Sequence, residues 1–116
     1  MPRATHAVMR PTAAATSAPK PEDVARAKKL MAHGQLLYRK GDYDQAELAL
    51  KQAMTLYPFL LQANLTLGKI FLIRGAATRD TTLIDSARLM FEMARAMDGG
   101  SREAEVLLEL FQSLPE

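Results

Sequence analysis

Cysteine is absent from the 116-residue chain, which excludes a disulfide framework, a thiolate metal site and a cysteine nucleophile. Histidine is nearly absent, since only His6 and His33 occur. The few serines do not form the Gly-x-Ser-x-Gly turn that exposes a nucleophile. We therefore expect a protein that is not an enzyme, with no cofactor and no metal site.

A long hydrophobic run is also missing. The longest candidate, residues 59–61, is soon followed by Gln62 and Asn64, whereas a membrane span needs about 18 apolar residues. Residues 1–20 lack the apolar core of a secretory signal. We expect a cytoplasmic protein without membrane insertion. Organellar import is a minor alternative, because the tail contains Arg, Ser and Thr without acids, although its prolines oppose an amphipathic helix.

Acidic residues are missing from residues 1–21, which carry three basic ones. Residues 22–116 carry 12 Lys/Arg and 13 Asp/Glu, so the net charge of +2 comes from the N-terminal end. Nucleic-acid binding needs basic residues clustered on a folded face, and the sequence contains no such cluster. We therefore expect no nucleic-acid partner. Residues 1–20, poor in large apolar residues, are predicted to be a flexible basic tail.

From residue 21 onward, the sequence consists of helical segments separated by short breaks. No segment has the two-residue alternation of a strand, so we expect an all-α fold. The predicted helices span about 22–40, 44–57, 59–74, 83–98 and 101–114, and the breaks are Gly41, Pro58, residues 75–81 and Gly99-Gly100.

Two of these helices have candidate N-caps. Thr82, with Asp85 three residues later, resembles a capping box at the start of the fourth helix. Ser101 is placed to cap the fifth helix. These residues predict where the two C-terminal helices begin.

An internal repeat organises the predicted helices. Seven residues inserted between Gly75 and Ala87 change the offset between its two copies from 34 to 41. Its small residues would stand where two helices approach closely, and its large ones where a gap must be filled. The matching pairs are Gly34 and Gly68, Gly41 and Gly75, Ala46 and Ala87, Leu50 and Phe91, and Ala53 and Ala94.

The motifs of the two copies resemble the tetratricopeptide repeat, a helix-turn-helix unit of about 34 residues. The first copy reads Gly-Asp-Tyr-Asp-Gln-Ala over 41–46 and closes with Pro58, like the second helix of that repeat. The second copy reads Leu-Gly-x-x-Phe over 67–71, similar to the Leu-Gly-x-x-Tyr of the first helix. Leu30 and Asn64 stand where the family has an early Trp.

The resemblance covers about residues 24–114 and implies a short right-handed α-solenoid of antiparallel helix pairs, with about five helices. His33 stands where the family has an interior Leu, so a structural role is expected for it. The implied organisation is a domain over 21–116, with repeat one at about 27–60, repeat two with its insertion at about 61–101, and a capping helix at about 101–114.

Two features of the second repeat leave alternatives open. The inserted residues 76–82 amount to about two helical turns, which would extend the flanking helices; the alternative is a loop that contacts a partner. Met90, Met93 and Met97 share one face of the fourth helix. A core stripe is favoured there over an adaptable contact surface.

The same resemblance implies a concave groove lined by the first helix of each repeat. Met31, Gln35 and Thr66 stand where co-chaperones of the family grip a C-terminal carboxylate with Lys and Asn, so we exclude a carboxylate clamp. What remains is an apolar groove with basic residues at its edge. The implied lining residues are Lys28, Met31, Gln35, Tyr38, Arg39, Gln62, Leu65, Lys69, Leu72, Ile73, Val106 and Leu110.

These expectations describe a non-enzymatic protein–protein interaction module. It would act as an adaptor or small chaperone that binds an apolar or amphipathic segment of a partner in the groove. The alternative is a structural accessory subunit of a larger multiprotein assembly, or a homodimer, that uses the same surface and the N-terminal tail.

Overall fold

Five α-helices make up the computed structural model, which describes residues 18–97 and 101–113. No β-strand occurs in these two stretches, which confirms the predicted all-α class. No helix among them is long and apolar enough to cross a membrane. The helices are α1 (Pro21–Arg39), α2 (Tyr43–Leu56), α3 (Leu61–Thr78), α4 (Thr81–Ala96) and α5 (Arg102–Ser113).

Local sequence accounts for the turn between α1 and α2. Pro21 opens α1, where its missing N–H costs no hydrogen bond. Gly41 follows the helix with φ +86°, in the left-handed region that glycine tolerates. The Asp42 carboxylate then accepts a hydrogen bond of 3.3 Å from the Gln45 N–H and caps α2. The predicted break at Gly41 is confirmed.

The predicted end of the third helix at Gly75 is wrong. α3 continues to Thr78 and ends at Arg79, which has φ 56° and lies in the left-handed region. Gly75 is buried inside the helix, where a Cβ atom would lie 2.9 Å from Ile84 Cγ1 and 3.0 Å from Leu83 Cβ. It therefore allows α3 and α4 to approach closely beside their turn rather than ending α3.

The insertion is taken up as helix, which is one of its two predicted interpretations. α3 runs five residues further past Gly68 than α1 runs past Gly34. Helix α4 begins three residues further ahead of Ala87 than α2 begins ahead of Ala46. The turn between α3 and α4 is one residue shorter than the turn between α1 and α2. These changes account for the seven inserted residues.

Asp80 caps α4, so the predicted capping box of Thr82 and Asp85 is wrong. The Asp80 carboxylate accepts hydrogen bonds from the N–H groups of Thr82 at 3.0 Å and Leu83 at 3.3 Å. An Asp directly before the first turn is at least as good an N-cap as Thr. Helix α4 therefore begins about one half turn earlier than predicted.

The two helix pairs repeat one contact. A Cβ atom on Gly34 in α1 would lie 2.8 Å from Leu50 Cγ in α2. A Cβ atom on Gly68 in α3 would lie 2.5 Å from Phe91 Cε1 in α4. Both pairs are antiparallel, because their turns are short and these contacts join their middles. The matched pairs of the sequence repeat thus meet in the same way twice.

An ion-pair network joins the two helix pairs. Arg74 Nη1 in α3 lies 3.1 Å from Asp44 Oδ1 and 2.7 Å from Glu47 Oε1, both in α2. Lys51 Nζ lies 2.7 Å from Glu47 Oε2 and 5.7 Å from the centre of the Phe71 ring. Helix α1 also contacts α3. Helix α3 therefore packs against both helices of the first pair as well as against α4.

Helix α5 packs against α4 and reaches α3. Ser101 Oγ accepts a hydrogen bond of 3.1 Å from the Ala104 N–H, which confirms the predicted cap. The rings of Phe91 and Phe111 lie 6.0 Å apart between their centres. Lys69 in α3 forms an ion pair with Glu103 in α5.

Several predicted boundaries lie outside the described residues. They are the break at Gly99-Gly100, the end of the last helix near Leu114, and residues 1–17 of the tail. The core itself centres on α3, in which residues 63–68 are all buried. Leu50, Leu65, Ile70 and Phe91 are its largest fully buried apolar side chains.

Candidate functional site

Several residues predicted to line the groove lie on one face of α3 and one face of α5. Gln62, Lys69 and Ile73 share one face of α3, since they are seven and four residues apart. On α5, Val106 and Leu110 are four residues apart on the face that also carries Glu103. The ion pair of Lys69 with Glu103 joins these two faces. Ile73 and Val106 each lie one helical turn beyond that pair.

A row on α1 extends this surface. Lys28, Gln35 and Arg39 share one face of α1 by the same spacing. Met31 and Tyr38, which flank this row, are half-buried against the core. Because α1 contacts α3, we place the row at the border between the two helices, beside the exposed face of α3.

The structure exposes half of the predicted lining residues and covers the rest to different degrees. Those that are exposed are Lys28, Arg39, Gln62, Ile73, Val106 and Leu110. Those that are half-buried are Met31, Gln35, Tyr38, Lys69 and Leu72, and the one that is buried is Leu65.

Leu65 is placed differently from the prediction. Its side chain is 0% exposed and belongs to the core, so it is not available to a partner. The reason is the central position of α3, which is packed against α1, α2 and α4 and leaves only a narrow face open. Thr66, at one of the positions of a carboxylate clamp, is likewise buried.

His33 is exposed, contrary to its expected interior position. Its neighbour Gly34 faces α2 and approaches Leu50. Successive residues of a helix are about 100° apart, so His33 points away from that contact. In the described part of the chain, no helix packs over this side of α1.

A second apolar surface was missed by the sequence analysis. It is a pocket of about 550 Å³ between the turn joining α2 to α3 and the end of α4. Phe59 is 68% exposed there, and its ring centre lies 5.8 Å from that of Tyr57. The side chains that line the pocket are Tyr57, Phe59, Leu61, Met93, Ala96 and Met97.

The three methionines of α4 divide between core and surface. Met90 is half-buried against the core, and its Cβ lies 3.1 Å from where a Cβ on Gly68 would be. Met93 and Met97 line the pocket instead. The favoured interpretation, a core stripe, therefore holds for Met90 alone. The shared helix face of the three methionines was the sequence signal that could have indicated the pocket.

Several charged side chains of the described residues form ion pairs, such as those of Arg74 with Asp44 and Glu47. No group of three or more His, Asp and Glu residues in the described part of the chain is placed to hold a metal ion. Comparisons with models of protein families, with curated proteins and with solved structures find no match to this chain. Its function must therefore be inferred from its surfaces and its internal repeat.

Proposed function

We propose that this chain is a non-enzymatic, tetratricopeptide-like module that binds an apolar or amphipathic segment of a partner protein on α1, α3 and α5. One observation carries the proposal: Ile73, Val106 and Leu110 are exposed on the faces of α3 and α5 that the ion pair of Lys69 with Glu103 joins. Single exposed apolar residues are normal on a protein surface. A cluster on one surface indicates an interaction site.

The repeated packing supports the tetratricopeptide-like part of this proposal. The same glycine-to-large-residue contact occurs in both helix pairs, at Gly34 and Gly68. At the 41-residue offset, the counterpart of Gly68 in α5 is Glu109, which is exposed. A further helix could not approach closely there. Helix α5 therefore has the polar outer face that a terminal capping helix needs.

The expected affinity is modest. Val106 is 50% exposed, Leu110 is 47% exposed and Ile73 is 38% exposed. Full burial of one such side chain contributes roughly 1.5–3 kcal/mol, so covering the exposed halves of three contributes roughly 3 kcal/mol. A partner must also overcome the cost of its own ordering. These three contacts alone correspond to a dissociation constant weaker than about 1 mM, so tighter binding requires contacts with the other lining residues as well.

Replacing Val106 and Leu110 with Ser is expected to weaken binding at least about tenfold, because the apolar contact on α5 is lost. A displayed library of 12-residue peptides is first selected against the unchanged chain. The enriched peptides are then titrated by fluorescence anisotropy against the unchanged chain and the variant.

Leu89→Ser is the matched control for this experiment. Leu89 is 54% exposed on α4, similar to Leu110 on α5. Leu89→Ser therefore has the same helix-propensity cost as Leu110→Ser. It should leave affinity within about twofold. Equal binding by Val106→Ser/Leu110→Ser and by Leu89→Ser would show that the proposed surface is not the binding site.

The second candidate function, a structural accessory subunit, is favoured by the pocket around Phe59. A chain that contacts two neighbours needs two separate apolar surfaces, and this pocket lies apart from Val106 and Leu110. In a purified assembly, Phe59→Ser should release one neighbour while Val106→Ser/Leu110→Ser releases another. Mass spectrometry of the retained subunits measures this, and loss of the same neighbour in both variants would refute it.

A further inference from the structure

The basic residues of the proposed binding surface are unevenly placed. Lys28 and Arg39 are exposed on α1, and no ion pair found among the described residues includes either of them. Lys69, in the middle of the surface, is paired with Glu103. The α1 side therefore carries two uncompensated positive charges, and the centre is neutral.

The apolar residues lie at the opposite side of the same surface. Val106 and Leu110 are on α5, and Ile73 is on α3 next to it. Helix α1 contacts α3, and α5 reaches α3 through the ion pair of Lys69 with Glu103. Since packed helices are about 8–10 Å apart, we take the separation of α1 and α5 across α3 as roughly 20 Å. The surface is thus basic at one side and apolar at the other.

We infer that the partner segment is acidic at one end and apolar at the other, and that it crosses the three helices. Its apolar side chains would cover Val106 and Leu110, and its Asp or Glu side chains would approach Arg39 and then Lys28, which lies roughly 16 Å further along α1. In an extended segment, a separation of roughly 20 Å corresponds to about six residues. The inference rests on the proposed function and adds the charge and direction of the partner.

A protein segment fits this surface better than a nucleic acid does. A nucleic-acid site neutralises many phosphates with basic side chains. Of the residues predicted to line the groove, only Lys28 and Arg39 are uncompensated bases, and those on α5 are apolar. Binding of a 12-nucleotide single-stranded DNA as tightly as the selected peptides would overturn the inference.

Charge reversal on α1 tests the inference. Peptides selected from the 12-residue library against the unchanged chain should carry Asp or Glu at one end and Leu, Ile, Phe or Met at the other. Lys28→Glu/Arg39→Glu should weaken their binding about tenfold at 50 mM salt, since each exposed charge pair is reversed from attraction to repulsion. The loss should shrink at 500 mM salt because screening shortens the range of the interaction.

Lys29→Glu/Lys40→Glu is the matched control. Both residues are exposed, and no ion pair of the described residues includes them. The two lysines are eleven residues apart, as Lys28 and Arg39 are, but their row is turned about 100° around α1. The net charge changes equally, so affinity within about twofold of the unchanged chain is expected for a local contact.

The outcomes separate this inference from the proposed function. Selected peptides without acidic enrichment, or equal losses in the two charge variants, would overturn the inference alone, provided that Val106→Ser/Leu110→Ser still weakens binding. No enrichment of any peptide, or binding that is insensitive to Val106→Ser/Leu110→Ser, would instead overturn the proposed function. Circular dichroism of each variant verifies that the helices are retained.

Discussion

Replacing Gly68 with Ala is expected to destabilise the chain by about 2 kcal/mol, although Ala is the better helix former by about 1 kcal/mol. The added Cβ atom would lie 2.5 Å from Cε1 and 2.9 Å from Cδ1 of Phe91. That ring is fully buried and is backed by Phe111 at 6.0 Å. It has little space to move, so α3 and α4 must separate, and well-packed cores resist this.

A double-mutant cycle with Phe91→Leu tests the cause of this loss. If the overlap with the ring is responsible, Gly68→Ala should cost much less in the Phe91→Leu background, with a coupling of at least about 1 kcal/mol. Urea unfolding followed by circular dichroism measures all four free energies of unfolding. Additive effects of the two changes would refute the steric explanation, and so would an increase in stability on Gly68→Ala.

The equivalent change in the first helix pair is the natural comparison. Gly34→Ala places a Cβ atom 2.8 Å from Cγ and 2.9 Å from Cδ2 of Leu50. Leu50 is fully buried too, but a branched aliphatic side chain adjusts its rotamer with less displacement than a ring needs. We therefore expect a loss of about 1 kcal/mol, smaller than that of Gly68→Ala.

These glycine contacts were predictable from sequence because they repeat. Gly34 with Leu50 and Gly68 with Phe91 appear as matched pairs of a small and a large residue in the two copies. A helix pair with a short turn is antiparallel, so the spacing along the chain fixes which residues meet. The number of helices and the cap at Ser101 follow from equally local signals.

The role of Gly75 was not predictable in the same way. Gly41 lies in the turn between α1 and α2 and has a positive φ. No atom lies within 4 Å of the position that its Cβ would take. Gly75 is the matching residue by offset, but it lies inside α3 and serves close packing against Leu83 and Ile84. Glycine suits both a left-handed turn and a close approach, and only the packed structure distinguishes these uses.

The candidate surface was predictable in outline only. Helical spacing identified the faces of α3 and α5 that carry Ile73 and Val106, but spacing does not give the depth to which neighbouring helices cover them. Leu65 was therefore placed in the groove although it is buried. The pocket around Phe59 joins residues about 35 positions apart in sequence, at Phe59 and Met93, so no local pattern contains it.

Asn64 is a polar residue in the centre of the core, and it holds the turn between α2 and α3. It is fully buried. Its Nδ2 donates hydrogen bonds to the carbonyl oxygens of Pro58 at 3.1 Å and Leu60 at 2.9 Å. Its Oδ1 has no hydrogen-bond partner among the described residues. The side chain thus donates to two carbonyl groups beside the turn, that of Pro58 and that of Leu60, and the latter also accepts the backbone N–H of Asn64.

Asn64→Asp is expected to destabilise the chain by about 3 kcal/mol or more at pH 7. The substitution keeps the shape of the side chain but removes both donors and places a buried carboxylate against two carbonyl oxygens. Burial raises the pKa of this introduced carboxyl above that of the unfolded chain. The folded state then binds the proton more tightly, so the loss is smallest at low pH and grows as the pH rises from 4 to 7.

Asn64→Leu separates the charge from the lost hydrogen bonds. It also removes both donors but adds no ionisable group, and the matching residue of the first copy is Leu30. Its loss relative to the unchanged chain should be about 1–2 kcal/mol and equal at pH 4 and pH 7. Urea titrations of the three chains at both pH values measure the differences. If the loss of unfolding free energy for Asn64→Asp does not increase with pH, the introduced carboxyl is exposed to solvent. The turn at Pro58 would then have opened instead of keeping the side chain buried.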